Sequence, residues 1–389
     1  MSAGSSVVLT PKADNRLVWR EVVHALENRG YTIAAREEKH LTPHALTKMY
    51  ALPPDRSNIP EHPKLFLSIN FHGLDKHGEI FSILQDKGVP VAVWCVDNVW
   101  NLLSSLRSDF WKKLSLFVTD ASFIPDLKAH GAKYVEHLPL AVDATVFSPS
   151  GKNARSSTTQ HPVVFVGRSA FPDKKRFFVG QTIPEDLRQT AIHTLKDGTR
   201  PDFFWWLNAL GAQNTPLWPG SLVRRAALGA EEMSLAWKTA CLQAAMPLGL
   251  TIFGDNGWQT SFPHYSNNTP ELLPPVDYYV GLRQIYENAP FSLNMVSFLL
   301  PHGLNQRHFD IWAAGGFCLM DNSPGLNCFP KALTEPVIFK TPDDIPAKIS
   351  YFDKNQQDKE YLSTSWKKHI LTEHTYNIRI DRLVKTIFS

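Results

Sequence analysis

Cysteine is scarce in this chain, with four in 389 residues: Cys95, Cys241, Cys318 and Cys328. They lie far apart, and no two have the spacing of a metal-ligand pair. That excludes a zinc module and a disulfide framework, and the apolar surroundings of most of them predict reduced, buried thiols. A basic run is also missing. Lys+Arg total 40 against Asp+Glu 37, and Lys174-Lys175-Arg176 is too short to form an electrostatic footprint, so nucleic acid is not an expected partner. No apolar stretch approaches the roughly 20 residues that span a bilayer. The first residues show no basic segment leading into an apolar one. These absences predict a soluble, cytoplasmic protein without a transmembrane segment, with peripheral membrane contact left open. No short-period repeat is visible. No Asp-x-Asp pair occupies a plausible strand-end loop, so no metal cofactor is expected.

What is present is a large apolar fraction, 43% of residues, enough for two ordinary domains. Short apolar runs alternate with helical patterns. Val7-Val8-Leu9, Leu65 to Ile69, Val89 to Val96, Leu114 to Val118 and Tyr134 to Leu138 read as strands. Leu17 to Asn28, Ile80 to Lys87 and Phe123 to His130 read as helices, each followed by glycine. The unbroken β-branched runs are those of buried parallel strands, and the alternation predicts a doubly wound α/β sheet. Ser148 to Gln160 is polar and Ser/Thr-rich, as linkers are. A second α/β series starts at Val163. It contains a mostly helical stretch over 184–248 and further strands at Leu250, Phe291, Phe317 and Val337. The tail, from Glu360 to Phe388, reads as helix. The predicted organisation is a first Rossmann-like domain over 1–150, a second over 160–365 and a terminal helix over 366–389.

In a parallel α/β sheet, polar residues just after strands stand at the carboxyl edge, where ligands bind. In the second half, Gly167 permits close backbone approach and Arg168 is a bidentate phosphate donor, with Lys174 and Lys175 close behind. Gly254 opens a Gly-flanked turn. Asn294 ends a strand, and His302 and Gly303 lie in a loop that meets a helix carrying Arg307 and Asp310. Free N–H groups at such a helix start suit a diphosphate, and a carboxylate such as Asp310 suits a ribose. In the first half, Asn70, His72, Asp97, Asn98 and Trp100 follow strands. His72 and Asp97 are candidate general bases; Asn70, Asn98 and Trp100 are candidate acceptor contacts. A turn or helix-cap role is the competing reading for each. Trp205-Trp206 and Trp258 are candidate sugar-stacking platforms, although large aromatics mostly build cores.

Several segments together resemble the GT-B glycosyltransferases of the spore-maturation CgeB type. They are Val93 to Trp100, Leu138 to Asp143 with Phe147-Ser148-Pro149, Val164 to Gly167, Ser292-Leu293-Asn294, Arg307 to Asp310 with Gly315-Gly316-Phe317, and His374 to Arg379. The resemblance implies two Rossmann-like domains facing a central cleft, a C-terminal helix crossing back to the first domain, and metal-independent transfer. The sugar would pass from a nucleotide-sugar donor, held by the second domain, to a glycan, protein or small-molecule acceptor. It departs from many retaining members at the first of their two acidic positions, which here would be His302, and at the phosphate lysine, since Lys174 lies one position beyond the common spacing. The alternative is a GT-B-like protein that binds a nucleotide or sugar, or scaffolds partners, without transfer.

Overall fold

The computed structural model describes residues 6–12, 17–51, 63–148, 162–171, 173–213, 217, 220–262 and 269–389. The predicted linker, apart from Ser148, lies outside the described residues. The chain divides into two compact units. One contains Met1–Leu140 and Tyr376–Ser389 with a short piece that includes Leu217 and Gly220; the other contains Ala141–Thr215 and Ser221–Thr375.

The first unit is built on six parallel strands, β1 (Val7–Pro11), β2 (Thr32–Arg36), β3 (Leu65–Ile69), β4 (Val91–Cys95), β5 (Ser115–Val118) and β6 (Tyr134–His137). Their order is β2-β1-β3-β4-β5-β6. β1, β3 and β4 are buried along their whole length, which is why their sequences are nearly continuous apolar runs. β2 was not visible as a strand in the sequence. It is an edge strand, half exposed, and Thr-Ile-Ala-Ala-Arg carries no such run. The order reverses between β1 and β3, and a reversal of this kind opens a crevice beyond the strand ends.

The C-terminal helix Tyr376–Phe388 packs on the helix Trp19–Asn28 within this unit. The Arg379 guanidinium, 6% exposed, donates to the Pro139 and Leu140 carbonyls at 2.9 and 3.2 Å. The Trp94 indole donates to the Leu138 carbonyl at 2.9 Å. Three of the segments singled out in the sequence therefore converge on one corner of the unit.

The second unit has strands β7 (Val163–Val166), β8 (Leu250–Phe253), β9 (Glu271–Leu273), β10 (Phe291–Asn294), β11 (Cys318–Asp321) and β12 (Ile338–Phe339). All pair in parallel, in the order β12-β11-β10-β7-β8-β9. Counted within the unit this is the Rossmann order, with its reversal between β7 and β10. Among the described residues four α-helices lie between β7 and β8, including the 25-residue helix Ser221–Ala245. Its Gly229 meets Trp206, whose ring would stand 2.2 Å from an added Cβ. The tail contains two helices rather than one, Gln356–Glu373 and Tyr376–Phe388. Trp366 of the former stacks on Trp312 at 4.9 Å with rings 5° from parallel.

Cys95, Cys241 and Cys318 are buried free thiols, as expected; Cys328 is exposed, because it ends a short 3-10 turn at the surface. Among the described residues no helix is long and apolar enough to cross a membrane.

Candidate functional site

The β7/β10 reversal collects the polar groups that matter in the second unit. Asn294, the last residue of β10, is fully buried and accepts from the Arg307 Nε at 2.9 Å and from the Asn305 amide at 2.9 Å. Arg307 is partly buried, and its guanidinium lies 5.6 Å from the centre of the Phe165 ring. A Cβ built on Gly167 would stand 3.0 Å from the Arg307 Nη1. That Cβ would first meet the Phe165 ring at 2.8 Å and would press on the guanidinium beside it, so a side chain just after β7 crowds both. Among the described residues no carboxylate pairs with Arg307 and nothing accepts from its terminal nitrogens. Burial lowers its pKa, and the surrounding Tyr286, Cys318, Asp321 and Asp310 oppose the fall.

Beside it, Asp321 ends β11, fully buried. Its carboxylate accepts from the Val296 N–H at 3.1 Å and from the Trp237 indole at 3.1 Å, and lies 3.5 Å from the Arg200 Nη1. Burial raises its pKa, and Arg200 opposes that rise. The loop after β7 is clamped separately. Asp255 accepts from the Ser169 hydroxyl at 2.6 Å and the Gly257 N–H at 2.9 Å. The Glu231 carboxylate accepts from the Phe171 N–H at 3.3 Å. Arg168 on this loop is exposed; Lys174 is partly buried and Lys175 exposed. Of the two lysines, Lys174 is the one whose field reaches Glu231 and Lys238.

Several sequence expectations are corrected here. Asp310 is 1% exposed, with its oxygens engaged by the Tyr278 hydroxyl at 2.9 Å and the Gln306 amide at 3.1 Å. It ties the helix Arg307–Ala313 into the core and is not presented to a ribose. Gln306 in turn donates to the Ala141 carbonyl. The loop before that helix offers few free N–H groups, since those of Gly303, Asn305, His308 and Phe309 all find acceptors within 300–308. Gly303 is needed for packing, because its Cβ would meet Leu300 at 2.6 Å. Gly254 is likewise a packing glycine, 2.5 Å from the Gly167 carbonyl and 2.6 Å from the Trp258 ring when a Cβ is added. His302 is exposed and outside this cluster of contacts. Trp206 and Trp258 are core residues at 0% and 1% exposure, so neither is a sugar platform; the Trp258 indole donates to the Gly167 carbonyl at 2.9 Å.

In the first unit, β3 ends in strained backbone. Asn70 and Phe71 have φ of 53° and 63°, and Gly73 of 78°. Consecutive non-glycine residues in the left-handed region persist only where the surroundings hold them, and such strain gathers at functional sites. Here the Asn70 side-chain carbonyl accepts from the Val96 N–H at 2.8 Å, and its amide donates to the Asp97 carboxylate at 2.7 Å. Asp97 is open to solvent yet surrounded by protein atoms. This desolvation raises its pKa, and the Asn70 hydrogen bond limits the rise. His72 is partly buried, and its carbonyl accepts from the Ser68 hydroxyl at 2.7 Å. Asn98 and Trp100 are corrected. Asn98 is the N-cap of the helix Val99–Leu103 and accepts from the Asn101 N–H at 3.0 Å. Trp100 is 3% exposed and packs against Phe123 and His130. Asp120 and Asp143 are cap residues too.

The sequence reading missed Lys238, Glu231 and the Asp321–Arg200 pair. Their signal was a Glu and a Lys two turns apart on the buried stripe of the helix Ser221–Ala245, where only apolar residues were expected. No three His, Cys, Asp or Glu side chains group as metal ligands among the described residues.

Residues 237–385 match the family model described as glycosyl transferase-like. No curated protein matches the chain. Among solved structures, HepE of Anabaena in complex with UDP-glucose is similar over 98% of this chain and 99% of its own, at 6% identity and a TM-score of 0.56. The T4 phage BGT in complex with its UDP-glucose substrate covers 98% and 99%, at 8% identity and a TM-score of 0.51. An α,α-trehalose-phosphate synthase (UDP-forming) from Burkholderia vietnamiensis covers 99% and 97%, at 9% identity and a TM-score of 0.51. Residues 237–385 thus carry a glycosyl transferase-like domain, and the two parallel sheets with their C-terminal helices make up a GT-B fold.

Proposed function

We propose that the protein transfers a sugar from a nucleoside-diphosphate sugar to an acceptor hydroxyl, without a metal ion, in the manner of the CgeB-like members of the fold. The observation that carries this reading is the Arg307 guanidinium at the β7/β10 reversal. It is held by Asn294, faces Gly167 and has no carboxylate partner among the described residues. A partly buried cation without a counter-charge is unfavourable unless an anion arrives, and the leaving diphosphate is that anion. As the bond from the sugar's anomeric carbon to the diphosphate oxygen breaks, negative charge grows on the diphosphate. Fixed cations placed beforehand stabilise it most at that moment. Arg168 and Lys174 add charge nearer the surface. The donor is of the UDP-glucose kind found with several structural neighbours.

For the acceptor we propose Asp97 rather than His72 as the base. Its carboxylate is oriented by Asn70, keeps solvent access and has a raised pKa, which favours proton transfer near neutral pH. Asn70 positions it.

A thermal-shift screen against UDP, UDP-glucose and other nucleotide sugars tests the donor reading, since a ligand of the native state raises its melting temperature. UDP-glucose is expected to stabilise the protein and, with time, to release UDP. Stabilisation without release would favour a nucleotide-binding module, a reading fed by the burial of Asp310. No stabilisation by any nucleotide would remove both.

A further inference from the structure

Lys238 lies in the middle of the helix Ser221–Ala245, 8% exposed. The preceding residue fixes its height in the unit. The Trp237 indole donates to Asp321, the last residue of β11, so this turn of the helix stands level with the carboxyl edge of the sheet. Among the described residues Lys238 has no hydrogen-bond partner and no carboxylate at ion-pair distance. Glu231, two turns earlier on the same helix, acts on it electrostatically without an ion pair, and one of its oxygens accepts from the Phe171 N–H of the loop after β7 at 3.3 Å. Lys238 and Arg307 sense each other electrostatically, as do Lys238 and Lys174. The Lys238 and Arg307 charges are close enough to act on each other, and the two carboxylates that act on Lys238 each already accept a hydrogen bond, Glu231 from the Phe171 N–H and Asp321 from the Val296 N–H. Lys238 is largely desolvated, and a desolvated ammonium with no carboxylate at ion-pair distance favours the approach of an anionic ligand.

We infer that Lys238 is an anion-binding residue of the donor site, and that its ammonium and the Arg307 guanidinium together receive the diphosphate, the role that sequence spacing assigns to Lys174 or Lys175. The inference rests on the donor reading given above and deepens it. Two consequences follow. Glu231 opposes anion binding through its charge, since it is the carboxylate of this helix that acts on Lys238, Glu232 being paired with Arg188. Donor binding is also proton-linked. Desolvation lowers the Lys238 pKa; Arg307 and Lys174 lower it further, and Glu231 and Asp321 oppose them. Only the protonated form binds an anion, so affinity is full below the lowered pKa and falls as pH rises through it.

Calorimetric titration of the full chain with UDP, inorganic pyrophosphate and uridine tests this. Lys238→Met keeps the stem and removes the charge. It is expected to weaken UDP and pyrophosphate by at least about tenfold, the scale of a charge-assisted contact. Uridine binding should be unchanged, and any alkaline fall in UDP affinity beyond that of uridine should disappear. Glu231→Gln is expected to tighten pyrophosphate. Parental UDP affinity in a folded Lys238→Met protein overturns the inference; if Arg307→Ala has lost UDP at the same time, the donor reading still stands. Should Lys238→Met fail to melt cooperatively, the unaltered protein decides: UDP affinity that falls no more than uridine affinity as pH rises to about 10.4, the ordinary lysine value, overturns it. No binding of UDP or pyrophosphate to the unaltered protein removes the donor reading and the inference together.

Discussion

Arg307 and Asp310 stand three residues apart on one helix, and the structure gives them opposite fates. Arg307 turns toward Gly167 with its terminal nitrogens unpaired, while Asp310 is sealed by Tyr278 and Gln306. In sequence both are charged residues at a helix start, and only their tertiary partners separate a ligand group from a core group. Arg307→Ala is expected to weaken UDP by about 1.5–3 kcal/mol, the scale of a charged hydrogen bond. Arg307→Lys should recover part of that, since it keeps the charge and loses the fork; calorimetry reads both. Arg168→Ala, at an exposed position, should lose less. Asp97→Asn is expected to lower turnover and leave UDP affinity unchanged. In the unaltered enzyme the acid limb of kcat/KM should lie above the ordinary carboxylate range, following the raised Asp97 pKa. Full turnover in Asp97→Asn would return the base role to His72. A residue-scale pH effect on stability comes from His308. Burial pushes its pKa down to about 3, its Nδ1 faces Asn305 and its Nε2 has no partner. The unfolded chain takes up this proton below about pH 6.5, whereas the folded one does so only near pH 3. Stability is therefore held above about pH 6.5 and falls toward pH 3, at up to about 1.4 kcal/mol per pH unit. The raised carboxyls of Asp321 and Glu231 act in the opposite direction. Urea melts of His308→Gln against the unaltered protein isolate the histidine, and the variant's stability should decline less steeply between about pH 6 and 4.

At the scale of elements, the 25-residue helix Ser221–Ala245 does two jobs. Its apolar stripe packs on the helices Glu185–Lys196, Phe203–Ala209 and Asp344–Lys354, and the Trp237 bond to Asp321 brings the turn that carries Lys238 to the end of β11. Gly229 lets the helix approach the helix Phe203–Ala209 through Trp206. An added Cβ would stand 2.2 Å from that buried ring, so Gly229→Ala should destabilise the protein by about 2–3 kcal/mol despite alanine's better helix propensity. A thermal melt measures this, and a neutral result would mean that the two helices can part. The turn after β3 is the other element with a task. Left-handed backbone at Asn70 and Phe71 aims one amide at Asp97 and one carbonyl at the Val96 N–H. Asn70 is of a type that tolerates this region, but Phe71 is not, so the sequence does not announce the pair.

At the scale of the whole molecule, the last helix belongs to the first unit although the chain reaches it through the second. Arg379 closes the carbonyls of Pro139 and Leu140, and Ile380 and Leu383 are fully buried. Deleting 376–389 exposes that apolar face and leaves buried carbonyls without donors. Such a protein is expected to melt at a lower temperature and to lose the cooperativity of its first transition. An unchanged melt would mean that the first unit is complete without the helix.

The sequence by itself determined the class of fold. Apolar β-branched runs such as Val91 to Cys95, spaced by helical patterns, have few stable arrangements other than parallel α/β sheets, and the glycine-ended strands mark the carboxyl edge where ligands bind. Edge strands such as β2 and β9 escaped notice because a half-exposed strand needs no apolar run. The sequence also pointed to Gly167, Asn294 and Arg307. Only the tertiary structure decided which charged residues are spent on the core and which are left without partners. Asp310 proved to be bound inward, Asn98 and Gly254 proved to be cap and packing residues, and Lys238 emerged from the middle of an apolar helix. The physical reason is that a charge's role is set by what surrounds it, and for residues 64 to 165 positions apart, such as Lys238 with Lys174 and Arg307 or Gln306 with the Ala141 carbonyl, the chain's local pattern carries no record of that surrounding.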